Sequence, residues 1–184
     1  MKTILIPLAE GVEELEAVTL MDLFVRAGFE VVRAGLKPGE ILAARGTRLI
    51  PDVLLSSVAH LHFDAIVLPG GQPGANNLAA DETLIELLQR HQAAERPVGA
   101  LCAAPRVLVA AGVASGRTMT AFPGALDGLE TGTSTITDAV HEFDGPVWTS
   151  RGPGTAMDFA LAIIEKLGGT ELRQSVEVKL VRPE

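Results

Sequence analysis

The chain has 184 residues, of which 47% are hydrophobic and 21% are charged. These proportions are those of a soluble globular protein and exclude a disordered or fibrous chain. The length is enough for one compact domain, which is expected over residues 1–184. Lysine and arginine number 15 against 23 acidic residues, a formal net charge of -8, so electrostatic binding to nucleic acid or anionic lipid is disfavoured.

A single cysteine, Cys102, excludes an internal disulfide and a cysteine-rich zinc site, so no bound metal is expected. By composition alone, a small buried hydrophobic group explains this thiol as well as a reactive one does. The apolar run at the N-terminus is too short for a signal peptide, and no stretch has the length of a membrane span. A reducing cytoplasm is therefore the expected location.

The first predicted elements form a βαβ unit. Residues 3–8 and 30–34 are apolar runs of strand length, and the apolar side chains of residues 13–27 recur at helical spacing. Residues 41–44 and 48–50 indicate a short hairpin at the side of this unit.

The rest of the chain continues the alternation of strands and helices. Residues 64–68 are almost wholly apolar, which is typical of a strand buried on both faces of a parallel sheet. Asp81 is a suitable N-cap for the helix that follows it. The pattern predicts an α/β fold with a mostly parallel sheet and helices on both faces. Further strands are predicted at residues 98–101, 118–121 and 147–150, and further helices at residues 106–111 and, as the final one, 157–167.

The segment around Cys102 has the pattern of a nucleophile elbow. An apolar strand ends at Leu101, small residues follow, and a helix is predicted directly after them. Such a turn directs the thiol over the carboxyl edge of the sheet, where a helix N-terminus is expected to lower its pKa. Gly70, Gly71 and the backbone N–H of Ala103 are candidates for an oxyanion hole, although a plain loop also explains the glycines.

Four motifs stand out in the chain: GVEELEAV at residues 11–18, LPGG at 68–71, ALCAAP at 100–105 and TSRGPGT at 149–155. Together they resemble the ThiJ/PfpI superfamily, and within it the branch of the parkinsonism-associated deglycase and its bacterial YajL-like relatives. The resemblance implies a flavodoxin-like three-layer sandwich that forms a homodimer and needs no cofactor. It also implies that Cys102 is the reactive thiol and Glu16 its protonated carboxyl partner, because two adjacent anions repel each other. From the sequence alone, without the resemblance, Glu16 is expected to be one of several acidic side chains exposed to solvent at the start of the first predicted helix.

Other residues occupy family positions whose role the pattern leaves open. Phe122 replaces a histidine that many family members carry and is a candidate for the pocket rim; the Phe-Pro version resembles the YajL-like relatives. Four more residues resemble the pocket rim and the dimer interface, and ordinary surface or interface ion pairs explain them equally well: Glu13, Asp22, Arg26 and Arg45. The histidines are expected to be solvated in loops or on helix surfaces; they are His60, His62, His91 and His141.

The resemblance implies a deglycase or glyoxalase of hydrolase or lyase type that protects against carbonyl and oxidative stress. In this hypothesis Cys102 adds to the carbonyl of methylglyoxal, or of glyoxal and methylglyoxal adducts on protein side chains, and a hydroxy acid is released. An alternative is an oxidation sensor and chaperone in which Cys102 becomes a sulfinate. A peptidase is disfavoured because Ala103 stands where that branch has a histidine, and partners for a Cys-His triad are missing downstream.

Overall fold

The computed structural model describes residues 1–182, and a seven-stranded sheet forms its centre. The strands of the described chain are β1 (Thr3–Leu8), β2 (Glu30–Gly35), β3 (Ile41–Leu42), β4 (Arg48–Leu49), β5 (Val53–Leu54), β6 (Ala65–Leu68), β7 (Val98–Leu101), β8 (Thr118–Thr120), β9 (Thr135–Thr137), β10 (His141–Asp144) and β11 (Val147–Ser150). The order across the sheet is β10-β11-β7-β6-β1-β2-β5. Neighbouring strands are parallel, except that β10 pairs antiparallel with β11 at one edge.

Helices cover both faces of this sheet. They are α1 (Glu14–Arg26), α2 (Leu55–Val58), α3 (Gly74–Ala79), α4 (Glu82–Ala93), α5 (Pro105–Ala110), α6 (Ala156–Gly168) and α7 (Thr170–Val178). One apolar core lies between the sheet and α1, α6 and α7, and the other lies between the sheet and α2 to α5. Within residues 1–182, no helix combines the length and the apolar character that crossing a membrane requires.

Strand β1 shows how the sequence supplies both cores. Its side chains alternate between the two faces of the sheet because successive residues of a strand point in opposite directions. Ile4 and Ile6 contribute to the core beneath α1 and α6, whereas Leu5 contributes to the opposite core. All three are fully buried, so β1 is apolar on both faces, as expected for a central parallel strand.

Two small sheets lie beside the central one. The predicted hairpin is confirmed, with β3 and β4 paired antiparallel through Ile41 and Leu49. The strand predicted at residues 118–121 is also present as β8, but it pairs in parallel with β9 and stands outside the central sheet.

The prediction that the helix at residues 157–167 is the final one is wrong. Helix α6 does end at the glycine pair, where Gly169 has a φ of +89°. The chain then enters α7 at Thr170, and Val176 of this helix is buried in the same core as α6. The glycine pair therefore turns the chain between two packed helices, which local spacing alone does not distinguish from an end.

Two of the four histidines are not solvated, which corrects the sequence prediction for them. His91 lies on α4 with only 4% of its surface exposed, and its Nε2 is 2.9 Å from the carbonyl oxygen of Phe63. His141 lies on the edge strand β10, half-buried against Phe159. His60 and His62 are exposed, in accordance with the prediction.

The buried His91 makes part of the stability of the fold dependent on pH. Burial lowers the pKa of His91, so the unfolded chain binds its proton at a higher pH than the folded protein does. The free energy of unfolding should therefore decrease as the pH falls below about 6.5, the ordinary histidine pKa. His91→Gln keeps a nitrogen donor near the Phe63 carbonyl and should lack this part of the decrease, measured by urea unfolding at pH 7.5 and 5.5. Equal decreases in the native protein and the variant would contradict the prediction.

Candidate functional site

The candidate site lies at the carboxyl edge of the sheet, where the loops after four parallel strands meet. The loop after β1 leads to Glu13 and Glu16, and the loop after β6 contains Gly70 and Gly71. Cys102 follows β7 directly, and Ser150 is the last residue of β11, the fourth strand. Because β2 and β6 flank β1 on opposite sides, this edge is also where the order of the strands reverses, the usual position for ligands in open α/β sheets.

Cys102 has the strained backbone of an elbow. Its φ of 62° lies in the left-handed region, which costs a residue with a side chain on the order of 1 kcal/mol or more. Hydrogen bonds hold the residue at both ends: its N–H donates to the carbonyl of Ser150 over 2.9 Å, and its carbonyl accepts from the N–H of Phe122 over 2.8 Å. The elbow is therefore fixed by the strand and the loop on either side of it.

Glu16 is the buried acid of the site. It lies in the first turns of α1 with no exposed surface, and its Oε2 accepts a hydrogen bond of 2.7 Å from the backbone N–H of Gly70. Within the described residues Oε1 is buried without a regular hydrogen-bond partner. The Cys102 thiol is nevertheless close enough for each group to perturb the pKa of the other.

The glycine loop has no room for side chains. A Cβ atom at Gly70 would lie 2.8 Å from the backbone nitrogen of Ala103 and 2.9 Å from the Cβ of Cys102. Gly71 has a φ of +93°, and a Cβ there would lie 2.3 Å from the backbone nitrogen of Glu13. The loop after β6 is thus wedged between the elbow and the start of α1, and this close approach requires glycine at both positions.

The sulfur of Cys102 faces two backbone donors. Hydrogen bonds from the N–H groups of Ala103 and Gly71 act to lower the pKa of the thiol. These are two of the three residues that the sequence suggests for an oxyanion hole. The N–H of the third, Gly70, donates to Glu16 instead. An anion that forms beside the sulfur can receive hydrogen bonds from the same two groups.

The expectation of an acidic thiol is not met. Burial is the largest effect and, together with the charge of Glu16, it raises the pKa of Cys102 to about 12. Burial also raises the pKa of Glu16 to about 7, against the opposing hydrogen bonds from Gly70 and Cys102. The predicted helix dipole contributes little because α5 begins only at Pro105, three residues after the cysteine, and is six residues long.

The two groups therefore titrate as a pair. Below about pH 7 both the thiol and the carboxyl group hold a proton. Above it the pair has one proton and one negative charge, and the charge is on the sulfur whenever the proton is on Glu16. The loss of the second proton is strongly disfavoured because two adjacent anions would share a buried site.

The residues predicted for the pocket rim differ in how far they are buried. Glu13 is 8% exposed, and its Oε2 lies 3.7 Å from the guanidinium group of Arg45, whose side chain is mostly exposed. Phe122 is 48% exposed, and a Cβ atom at Gly152 would lie 3.5 Å from its ring. Asp22 and Arg26 form an exposed ion pair further along α1 and are not part of the site.

Ser150 takes part in this site in a way that the sequence does not indicate. It lies in the motif at residues 149–155, but no local pattern predicts that its carbonyl accepts a hydrogen bond from the N–H of Cys102. Within residues 1–182, no three His, Cys, Asp or Glu side chains are grouped closely enough to hold a metal ion. A cavity of about 300 Å³ opens elsewhere, between the ends of β1 and β2, and neither Cys102 nor Glu16 lines it.

Comparison with known proteins places these motifs in a family. Residues 2–166 match the family model described as the DJ-1/PfpI family. The chain belongs to the DJ-1/PfpI family. The resemblance stated from the four motifs is therefore confirmed at the level of the superfamily.

DJ-1/PfpI members similar to this chain include proteins of known structure. Protein dj-1beta of Drosophila melanogaster is 41% identical over 176 residues, which cover 95% of this chain and 94% of the relative. The crystal structure of Drosophila melanogaster DJ-1beta has a TM-score of 0.94, with 37% identity over 100% of this chain and 99% of that one. This agreement confirms the predicted flavodoxin-like α/β fold with its mostly parallel sheet.

Two further DJ-1/PfpI relatives have informative names. Glutathione-independent glyoxalase DJR-1.2 of Caenorhabditis elegans is 38% identical over 173 residues, covering 94% of this chain and 91% of the relative. A solved structure named Toxoplasma gondii DJ-1, oxidized, has a TM-score of 0.93 and 31% identity over 100% of both chains.

The raised pKa of Glu16 leads to a prediction about stability. Between its ordinary pKa of 4.5 and its raised pKa of about 7, the folded protein holds a proton that the unfolded chain has lost. The free energy of unfolding contributed by Glu16 therefore falls as the pH rises, by up to about 3 kcal/mol. Glu16→Gln should lack this fall, so its stability relative to the native protein should increase between pH 5 and pH 8 in urea unfolding.

Glu14→Gln is the matched control, because this neighbouring acid is only partly buried and backbone hydrogen bonds from Arg45 and Thr47 help to lower its pKa. Its carboxylate is ionised in both states over the same pH range, so its difference from the native protein should stay constant. A constant difference for Glu16→Gln as well would show that Glu16 titrates normally.

Proposed function

We propose that the protein is a cofactor-free, cysteine-dependent glyoxalase and deglycase that acts on small dicarbonyl compounds such as methylglyoxal and glyoxal. The observation that carries the proposal is the buried pair of Cys102 and Glu16, with the N–H groups of Gly71 and Ala103 directed at the sulfur. The relative named as a glutathione-independent glyoxalase supports the same reaction class.

The first step forms a bond between the Cys102 sulfur and the aldehyde carbon. Glu16 in its ionised form takes the thiol proton as the sulfur attacks, and its raised pKa of about 7 suits a general base that works at neutral pH. The electron pair of the carbonyl moves to its oxygen, next to the N–H groups of Gly71 and Ala103. Glu16 then returns the proton to this oxygen, which gives a hemithioacetal.

The second step moves a hydrogen and releases the product. Glu16 removes the proton from the former aldehyde carbon and delivers it to the neighbouring carbonyl carbon. The hydroxyl proton on the former aldehyde carbon passes at the same time to the oxygen of the neighbouring carbon, so that a 2-hydroxyacyl thioester forms on Cys102. Water then cleaves the bond between carbon and sulfur, which regenerates the thiol and gives lactate from methylglyoxal. The net reaction adds one water molecule to the dicarbonyl, and no oxidant or reductant is consumed.

The same chemistry accounts for deglycation of protein side chains. Early adducts of methylglyoxal with amines are reversible and stay in equilibrium with the free dicarbonyl. Removal of the free dicarbonyl therefore reverses the adducts by mass action, without entry of a bulky side chain into the site. The low exposure of Cys102, 8%, favours a small substrate.

Lactate formation from methylglyoxal tests the proposed roles. Cys102→Ser should lose the activity, because an alcohol is a far weaker nucleophile than a thiolate at neutral pH. Glu16→Gln should lower kcat by about 100-fold or more, because general-base catalysis typically contributes a factor of 10² to 10⁴. The native kcat should increase with pH through about 7, where Glu16 loses its proton.

Arg26→Gln serves as the control, because Arg26 lies in an exposed ion pair outside the site. It should retain native kcat and KM. Lactate production that persists in Cys102→Ser would remove the thiol mechanism altogether.

A second candidate function is an oxidation sensor with chaperone activity, favoured by the contact of the Cys102 sulfur with a carboxyl group that readily holds a proton. Two molecules of hydrogen peroxide would oxidise the thiol to a sulfinic acid and be reduced to two molecules of water. The sulfinic acid loses its proton to the solvent, and protonated Glu16 could donate a hydrogen bond to the resulting sulfinate. The oxidised Toxoplasma gondii relative supports this candidate. Graded peroxide separates the two functions, since an enzyme that needs its thiol loses activity on oxidation, whereas a sensor gains chaperone activity.

Either role requires a reducing compartment, so we propose a cytoplasmic location.

We also propose that the protein forms a homodimer through α1. Three large apolar side chains on one side of this helix, Leu15, Val18 and Val25, are each about half exposed. Their spacing places them on one face, and such a row on a soluble protein marks an interaction surface.

Substitution of this face should change the oligomeric state. Val18→Glu places a charge in the centre of the apolar row and should shift the protein from dimer to monomer in sedimentation velocity, because an unpaired charge at an interface core is strongly unfavourable. Val178→Glu on α7 is the matched control, since Val178 is 77% exposed and lies on another helix. A native protein that is monomeric, or a Val18→Glu variant that remains a dimer, would refute this interface.

A further inference from the structure

His141 lies next to the elbow although it is distant from it in the sequence. It is the first residue of β10 and the cross-strand partner of Ser150, and Ser150 in turn pairs with Leu101, the residue before Cys102. The His141 ring stacks on Phe159 of α6, with ring centroids 5.7 Å apart and an interplanar angle of 22°. The imidazole is therefore held in one orientation beside the last residue of β11.

A hydrogen-bond network leads from this imidazole into the loop after β11. Nδ1 of His141 is 2.9 Å from Oγ of Ser150, and that Oγ is 2.6 Å from Oγ1 of Thr155. The Thr155 hydroxyl group also bonds to the backbone N–H and carbonyl of Gly152, at 3.1 Å and 2.8 Å. Since Ser150 is fully buried, water cannot replace the histidine as its partner.

The backbone of Ser150 transmits this constraint to the nucleophile. Its carbonyl accepts a hydrogen bond of 2.9 Å from the N–H of Cys102. This is one of the two hydrogen bonds that hold the left-handed backbone of the elbow. A strained residue keeps its conformation only when its surroundings determine it fully. The β10 strand lies at the edge of the sheet, and the His141 side chain makes the shorter of two contacts that tie this edge to the Ser150 hydroxyl group, at 2.9 Å. The other is the longer hydrogen bond of 3.3 Å that the Ser150 hydroxyl group donates to the carbonyl of Val140.

We infer that His141 is a positioning residue for Cys102, and that it acts through the Ser150 side chain to fix the carbonyl that holds the elbow. The inference deepens the proposed function and rests on it, because it concerns the reactivity of the same thiol. No contact between His141 and the sulfur is involved, so His141 is not a proton carrier in the reaction.

Two variants of His141 separate its hydrogen bond from its packing. His141→Phe keeps a ring to stack on Phe159 but cannot bond to Ser150. His141→Asn loses the ring but keeps a polar atom at the position of Nδ1, since both atoms are attached to Cγ. His141→Phe should lower kcat for methylglyoxal roughly tenfold with KM within about twofold, because misplaced reacting groups slow the chemical step more than binding. His141→Asn should recover most of that loss.

The rate of Cys102 alkylation by iodoacetamide, followed by mass spectrometry, measures the elbow without any substrate. It should show the same order of native protein, His141→Asn and His141→Phe. Ser150→Ala should lower the rate similarly, and the double variant His141→Phe with Ser150→Ala should be no slower than either single one, since both changes break one connection. His60→Phe, at an exposed histidine, is the control and should match the native protein.

The outcomes distinguish the two proposals. Native rates in His141→Phe, or a His141→Asn variant as slow as His141→Phe, would overturn the positioning role. Absence of lactate formation by the native protein, with the alkylation series still in the expected order, would remove the proposed function and leave the effect of His141 on the thiol in place.

Discussion

The burial of the Glu16 carboxyl group against the Cys102 thiol is the interaction on which the chemistry of this protein depends. Two acids in a site with little water cannot both be ionised, so they hold one proton between them over a wide range of pH. The glycine loop after β6 maintains this arrangement. Gly70 donates its N–H to Glu16 and approaches the elbow too closely for a Cβ atom, and Gly71 directs its N–H at the sulfur. In the proposed mechanism, the reactivity of Cys102 therefore arises from proton exchange within the pair rather than from an intrinsically acidic thiol.

The sheet explains why these groups converge. Parallel strands place the ends of β1, β6, β7 and β11 at one edge, and the loops that follow them supply the acid, the backbone donors, the thiol and the carbonyl of Ser150. The cost of the left-handed Cys102 backbone is offset by two hydrogen bonds, one that Cys102 donates to the carbonyl of Ser150 and one that it accepts from the N–H of Phe122. The network from His141 to Thr155 fixes one of these neighbours, which connects the antiparallel edge of the sheet with its reactive centre.

The proposed functions require different states of the same thiol. Glyoxalase chemistry uses Cys102 with its sulfur reduced and Glu16 able to exchange a proton, whereas the sensor function begins when the sulfur carries oxygen. The proposed dimer face on α1 is formed by the helix that also carries Glu16, although Leu15 and Val18 point away from the buried acid. One helix therefore provides both the acid of the site and the surface through which a second copy is proposed to bind.

The sequence by itself determined the alternation of strands and helices, the side hairpin and the elbow at Cys102, because apolar periodicity, small residues and glycines act over a few neighbouring positions. The four motifs determined the superfamily, because each is a short run of residues that can be recognised without knowledge of the fold. Only the tertiary structure decided the direction of the Cys102 pKa, because burial depends on what packs over the sulfur from distant segments. It also decided that His91 is enclosed beneath Phe63 and that His141 lies beside Ser150, since partners on other elements are not encoded in local spacing. Helix α7 was missed because a glycine pair that ends one helix has the same local pattern whether the chain stops or turns into another.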